Sequence, residues 1–432
     1  MEWIDVVVLA GSFTILLALG VPVAFSIGIA TVFTMLLSIK AGPALTTEAQ
    51  RIATGLDSFT LLAIPFFILA GQLMSRGGIA RRLIDFAKAL VRELPGGLAH
   101  VNILAAMLFA AISGSSVATA SAIGSIMGPR MEEDGYDRSF GAAVNITAAT
   151  TGLIIPPSNI LIVYSLASGG VSITALFLAG YLPGILVGLS LMLVAGVIAA
   201  RRKFPVGRSV GWREMTKHFL GALPGLLMLV VVMGGIISGV FTATEAAAVA
   251  VLYAFILALA YREITVRDLP EILLSTSATT AIVMLLVGTS IGMSWILAYE
   301  NIPQNVSLAL IGLTENKILI LLIINLVLLA VGVFMDITPA VLIFTPIFLP
   351  IAVQLGVDPV HFGIIMVLNL CVGLCTPPVG TVLFVGVGVA GTSITRVIRP
   401  LLPLYVAMIV ALMIVTYVPA LSLWLPSLFG VE

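Results

Sequence analysis

Four short interruptions in otherwise apolar runs gather residues that could bind an ion or an anion. They are ISGSSVATAS (Ile112–Ser121), GLIIPPSN (Gly152–Asn159), MDITPA (Met335–Ala340) and GLCTPPVGT (Gly373–Thr381). Proline removes a backbone donor and stops a regular helix, which leaves carbonyls without their usual partners. In hydrocarbon such a carbonyl costs several kcal/mol unless protein, water or an ion satisfies it. Freed carbonyls beside Ser and Thr hydroxyls are hard oxygen ligands of low formal charge, suited to a dehydrated monovalent cation. The interruptions come as two pairs, so they predict two related cation sites. Half-helices that open from the same breaks can turn their N-termini toward an anionic substrate. The competing reading is ordinary kinks, with each hydroxyl bonded to its own helix.

Asp336 lies inside the third break, where an acidic residue is costly and usually functional. It can support the second cation site, cap a helix end or carry a proton. Glu245, in TATEAAAVAV (Thr242–Val251), reads instead as the early acid of a helix capped by Thr242 or Thr244.

The elements that carry these breaks repeat. A shift of 221 residues lays Pro129 on Pro350, Gly135 on Gly356, Asp137 on Asp358, Gly152-Leu153 on Gly373-Leu374, and Pro156-Pro157 on Pro377-Pro378. The same shift lays Ser115 on Asp336. Apolar residues coincide easily in such a chain, but ordered coincidences of Gly, Asp and a double Pro indicate an internal duplication. Paired Gly/Pro-interrupted apolar segments in two halves are the usual pointer to a transporter's binding site.

Of 432 residues, 60% are apolar and 9% charged, with 20 basic and 20 acidic side chains. A soluble domain carries about a quarter charged residues, so the composition indicates an all-α polytopic membrane protein. Zero net charge excludes a nucleic-acid binder, which would show a basic face. A span needs roughly 20 apolar residues, and the charge-poor runs predict about eleven to fourteen membrane-embedded segments, some of them half-spans. Glu2 and Asp5 stand where a signal peptide would be basic, so the first run is expected to stay as an anchor.

Arg76, Arg81, Arg82, Lys88 and Arg92 cluster in one connection, and Arg201, Arg202, Lys203, Arg208, Arg213 and Lys217 in another. Both are expected on the cytoplasmic side, and the second is the best linker between halves. Ile79–Leu94 reads as an amphipathic helix with Leu83, Phe86, Ala87, Leu90 and Leu94 on one face, lying on the membrane surface or capping the bundle. Cys371 and Cys375 read as small core residues, and the three histidines show no metal-ligand spacing. Neither a P-loop nor a zinc or diphosphate motif is present, which argues against an ATP-driven pump and a membrane enzyme.

The chain resembles the large membrane subunit, DctM- or SiaM-like, of tripartite ATP-independent periplasmic transporters. The resemblance rests on LGVPVAFSIG (Leu19–Gly28), IPFFILAGQLM (Ile64–Met74), SGSSVATASAIG (Ser113–Gly124), GLIIPPSN, TATEAAAVAV, MDITPA and TPPVGT (Thr376–Thr381), in that order. It implies an elevator-type transporter with inverted repeats, broken helices and re-entrant hairpins in the bacterial inner membrane. The implied divisions are N-terminal scaffold helices over 1–56 and a first repeat with transport-domain elements over 57–200. A basic linker with scaffold or arm helices then covers 201–270, and a second repeat with a C-terminal scaffold helix covers 271–432.

The resemblance also implies import of an organic acid, such as a C4-dicarboxylate or a sialic acid, by sodium symport. A periplasmic binding protein would deliver the substrate. A small four-helix membrane subunit would be a separate chain, since the family pattern begins about twenty residues from Met1. Carried over residue by residue, a first sodium site would use Ser113, Gly114, Ser115 and Ser116 with Gly152, Pro156, Ser158 and Asn159. A second would use Asp336 and Thr338 with Gly373, Thr376, Val379, Gly380 and Thr381. Substrate would lie between them, near Ser115, Ser158, Asn159 and Thr381. A divalent-anion/sodium symporter acting without a binding protein, and a passive channel, remain as alternatives.

Overall fold

The computed structural model describes residues 2–205, 207, 211–314, 316–377 and 380–431, all as helix, turn and short connection. The first half comprises α1 (Glu2–Ala18), α2 (Val23–Ser38), α3 (Ala41–Leu56), α4 (Ala63–Arg76), α5 (Ile79–Val91), α6 (Gly97–Ser113), α7 (Ser116–Glu133), α8 (Arg138–Ala149), α9 (Asn159–Ala167) and α10 (Ile173–Arg202). The second comprises α11 (Trp212–Ile237), α12 (Ala243–Ala260), α13 (Leu269–Tyr299), α14 (Ile302–Leu313), α15 (Lys317–Phe334), α16 (Ile337–Gln354), α17 (Pro359–Gly373), α18 (Thr381–Ala390), α19 (Ile394–Tyr417) and α20 (Ala420–Leu428). Among the described residues eight helical segments are long and apolar enough to cross a membrane and five more are shorter apolar helices, in line with the expected number of segments.

The 221-residue shift extends well beyond the breaks. It lays α7 on α16 residue for residue, and α2, α5, α6 and α8 on α12, α14, α15 and α17 to within a few residues at each end. It lays α3 and α4 together on the long α13, and α10 on α19 and α20. The capping chemistry repeats as well. Gly135 and Gly356 take positive φ, and Asp137 and Asp358 then cap α8 and α17 by accepting two backbone N–H bonds each.

Packing between the halves is reciprocal: α7 lies on α18 and α9 on α16, while α4 lies on α12 and α2 on α13. Each pair becomes the other when the halves are exchanged, which is the signature of a pseudo-two-fold arrangement. Helix α10 packs on α19, its own counterpart.

The large core includes Phe109, Phe140, Tyr164, Phe177 and Phe362, and Cys371 and Cys375 are both buried in it. The amphipathic segment forms α5, which packs on α6 and α11. Its buried face is Ile79, Ala80, Leu83, Ile84 and Ala87. Leu90 and Leu94, expected on that face, are exposed, because burial follows Ala80–Ile84–Ala87 around the helix. Glu245 is the acid of a complete capping box with Thr242.

Candidate functional site: two broken helix pairs around one cavity

The first break separates α6 from α7. Gly114 takes φ +61, which a side-chain-bearing residue adopts at a cost. Ser115 then caps α7, its Oγ accepting from the Ala118 N–H at 3.2 Å. Its carbonyl accepts from the Thr119 hydroxyl at 2.8 Å, and Thr119 Oγ1 also lies 3.2 Å from Ser113 Oγ. The break between α8 and α9 passes through a 3-10 turn at Thr150–Leu153. Ser158 Oγ spans this break and donates to the Leu153 carbonyl at 2.5 Å.

The two breaks of the first half meet at Gly114, where an added Cβ would lie 3.4 Å from Asn159 Nδ2 and 3.7 Å from the Pro157 carbonyl. Asn159 Oδ1 is buried without a hydrogen-bond partner.

The second half repeats the plan with different side chains. Asp336 occupies the N-cap of α16 and makes no side-chain cap bond; its Oδ1 instead accepts from the Thr381 hydroxyl of α18 at 3.2 Å. This bond ties the third break to the fourth. Gly380 has no room for a side chain, since a Cβ would meet the Leu374 carbonyl at 2.5 Å and the Thr376 carbonyl at 2.9 Å. Thr376 Oγ1 lies 2.9 Å from the Val372 carbonyl and 3.1 Å from the Tyr405 hydroxyl. Val379 lies outside the described residues.

Equivalent glycines bring the breaks together. Gly152 abuts Ala110 of α6, and Gly373 abuts Gly332 of α15, where a Cβ would meet the Gly332 Cα at 2.6 Å. Small residues at such crossings let backbones approach closely.

One cavity of about 240 Å³ joins the two halves. Ser113, Gly114, Ser115, Ser116 and Asn159 line it from the first half, and Asp336 and Thr338 from the second. Gly152, Pro156, Ser158, Gly373, Thr376, Gly380 and Thr381 lie outside the cavity lining, with Thr381 bonded to Asp336 and Ser158 to the Leu153 carbonyl. The opposite wall, not expected from the sequence, is formed by Gln72 and Ser75 on α4 and Thr279 on α13. The available signal was a polar Gln72-to-Ser75 face inside an apolar run, and the Ser/Thr-rich Ser275–Thr280 stretch. A second cavity, of about 390 Å³, lies against the C-terminal half of α7 beside α8 and α18 and gathers none of the expected site residues.

Among the described residues no group of three or more His, Cys, Asp or Glu could hold a metal ion. What the breaks offer is hard neutral oxygen: carbonyls, hydroxyls and one amide, plus a single carboxylate.

Comparison with known proteins adds an independent line. A family model described as "Tripartite ATP-independent periplasmic transporter, DctM component" matches residues 10–421. The chain is 56% identical to the uncharacterized protein YgiK of Salmonella typhimurium, over 98% of each chain. It is 46% identical to the C4-dicarboxylate TRAP transporter large permease protein DctM of Pseudomonas aeruginosa, over 87% of this chain and 88% of that one. In fold it is similar to the Alcanivorax borkumensis YdaH transporter, with TM-score 0.64 and 15% identity, covering 88% of this chain and 89% of that one.

Proposed function

The chain belongs to the DctM component family of tripartite ATP-independent periplasmic transporters, and from that premise we propose that it imports an organic acid by sodium symport. Membership makes it a secondary-transport permease for carboxylates and not an enzyme, a multi-pass protein of the bacterial inner membrane. Sodium coupling, delivery by a periplasmic binding protein and work with a small four-helix membrane subunit are the finer parts of the proposal.

The observation that carries it is two oxygen-rich pairs of breaks, related by the repeat, on either side of one cavity. The first sodium site takes oxygen ligands from Ser113–Ser116 and from Gly152–Asn159, whose Asn159 Oδ1 is buried without a partner. The second takes Asp336, Thr338, Gly373, Thr376 and the carbonyls crowded at Gly380, with Thr381 bonded to Asp336. Val379 belongs to this second set by its place in the motif. Substrate fills the space between Ser115 and Asn159 on one side and Thr338 on the other. Ser158 and Thr381 hold that wall from behind.

Charge placement supports inverted halves. Arg81, Lys88, Arg92, Arg130 and Arg138 fall, after the 221-residue shift, on Ile302, Ala309, Leu313, Ile351 and Pro359. Equivalent helix ends that differ so in basic residues fit opposite faces of the membrane. The cavity reaches Ser75, beside Arg76 at the basic end of α4, and with that end on the cytoplasmic side this supports reading the state as inward-facing. Movement of the broken helices past α4 and α13 would open the site to the other side. Each uncompensated charge carried inward gains about 2.3 kcal/mol per 100 mV, so a monoanion with two sodium ions is driven by voltage as well as by the gradient.

Uptake into proteoliposomes holding the chain and its small membrane partner, with and without the binding protein and an inward sodium gradient, tests the reading. Uptake that needs both is the expected result. Uptake without the binding protein would identify a stand-alone symporter, and sodium-independent downhill flux would overturn the ion sites.

A further inference from the structure

The second cavity, of about 390 Å³, runs along the C-terminal half of α7, whereas the cavity between the halves meets only the first turn of that helix. It is lined by two buried amides, Asn102 of α6 and Asn145 of α8, which are 1% and 3% exposed. Asn145 donates through Nδ2 to the Ala120 carbonyl at 2.7 Å, which fixes its orientation and leaves Oδ1 without a partner. Asn102 Oδ1 has no partner either, and its Nδ2 has only the Met131 sulfur at 3.7 Å. A buried amide oxygen left unmet is costly, and a polar space of this size holds water.

The exposed end of the cavity lies among Glu132, Asp137, Arg138 and Gly391. Arg138 is tied to Glu132 by two hydrogen bonds, so Asp137 supplies the net charge there. Arg130 of the same turn pairs with Asp85 on the basic helix α5, which sets this end on the cytoplasmic side. A negative mouth on a cleft concentrates cations.

Oxygens continue from the amides toward the first break. Ala120 lies four residues past Ser116 on α7, about 6 Å along the helix. Beside it Thr119, fully buried, donates to the Ser115 carbonyl at 2.8 Å and lies 3.2 Å from Ser113 Oγ. On α18, Gly386 lines the cavity five residues past Thr381, about 7.5 Å along that helix.

The repeat shows that the fold does not require this space. An added Cβ at Gly128 would meet nothing within 4 Å, and one at Gly124 would strike the Asn145 amide. The counterparts of Asn102, Gly124, Gly128 and Asn145 are Ile323, Thr345, Leu349 and Met366. There the Thr345 hydroxyl meets the Met366 sulfur at 3.2 Å, and Leu349 is buried. Two glycines and two asparagines open in one half what larger side chains fill in the other.

We propose that this cavity is the cytoplasmic antechamber of the first sodium site. A hydrated sodium ion leaving Ser113–Ser116 rests on the amide oxygens of Asn145 and Asn102 and reaches the cytoplasm past Asp137. Sodium and substrate thus leave by separate routes. The proposal rests on the sodium-symport reading above.

The test is uptake into proteoliposomes holding the full chain and its small membrane subunit, with the binding protein and saturating sodium outside. Saturating sodium overcomes a weakened site but not an obstructed exit. Gly128→Cys places a thiol in the cavity, and the parent, whose two cysteines are buried, is the labelling control. A methanethiosulfonate reagent that attaches a trimethylammonium group should slow uptake about fivefold, whereas one that attaches a sulfonate of similar size should leave it within about twofold. Gly128→Leu, which installs the residue found in the other half, should also slow uptake. The melting-temperature shift on sodium titration should keep its midpoint in every form, because the path is not the site.

Equal slowing by the two charges would overturn the proposal, since a purely steric effect has no sign. So would a thiol at 128 that does not label, or uptake indifferent to both reagents. A normal sodium shift in the parent together with any of these results strikes the antechamber alone. No sodium shift in the parent would remove the symport reading and the antechamber with it.

Discussion

Ser115 and Asp336 occupy the same place in the repeat, the N-cap after a break, and do different work. Ser115 satisfies the first turn of α7, whereas Asp336 leaves its cap unmade and reaches Thr381. In the ion-site proposal Ser115→Ala removes one neutral oxygen and Asp336→Ala the one carboxylate. Both should raise the sodium concentration for half-maximal uptake, Asp336→Ala more strongly. Unchanged sodium dependence in both variants would refute the assignment. Glu48 makes a separate case on α3, which is none of the eight spans. It is buried against Gly292, neither carboxylate oxygen has a partner, and burial pushes its carboxyl up to about 7. The folded chain therefore keeps a proton that the unfolded chain gives up above about pH 4.5, and stability falls as pH rises toward about 7. Glu48→Gln should melt higher than the parent at pH 8 and about equally at pH 4; a gain of equal size at both would rule out titration of Glu48 as the cause.

At the scale of elements, the breaks are held in place by helix crossings that tolerate no side chain. Gly373→Ala would drive a Cβ into the backbone of Gly332. Overpacking of this kind costs about 1–3 kcal/mol, so the melting temperature and the yield of folded protein should drop. Gly388 in α18 meets nothing within 4 Å of an added Cβ. Gly388→Ala should be neutral, or stabilising by about 0.5–1 kcal/mol through helix propensity. Equal losses in the two variants would mean that the Gly332–Gly373 crossing is not a close one in the membrane.

For the whole molecule, the two halves pack reciprocally, and the proposed transport cycle would have them exchange roles. Gln72 and Ser116 both line the cavity here, and their counterparts are Met293 and Ile337. If the halves exchange roles during transport, a cysteine pair at 72 and 116 should cross-link in the inward-facing state and a pair at 293 and 337 in the outward-facing one. Cys371 and Cys375 are buried and should not react with a thiol cross-linker. Failure of the 293/337 pair to link under any sodium or substrate condition would count against that exchange.

The sequence by itself determined the class, the duplication and the four breaks. Charge scarcity, run length, Gly/Pro interruption and a fixed offset are local properties that need no partner to be read. The cap around Thr242 and Glu245 was legible for the same reason, since a cap is made within a few residues. Only the tertiary structure decided which break residues face the cavity and which, like Ser158 and Gly152, lie outside its lining. It alone brought Gln72, Ser75 and Thr279 to the opposite wall and separated the exposed Leu90 from the buried face of α5. Those outcomes depend on which helices pack together across hundreds of residues, and apolar periodicity carries no record of that choice where every neighbour, lipid included, is equally apolar.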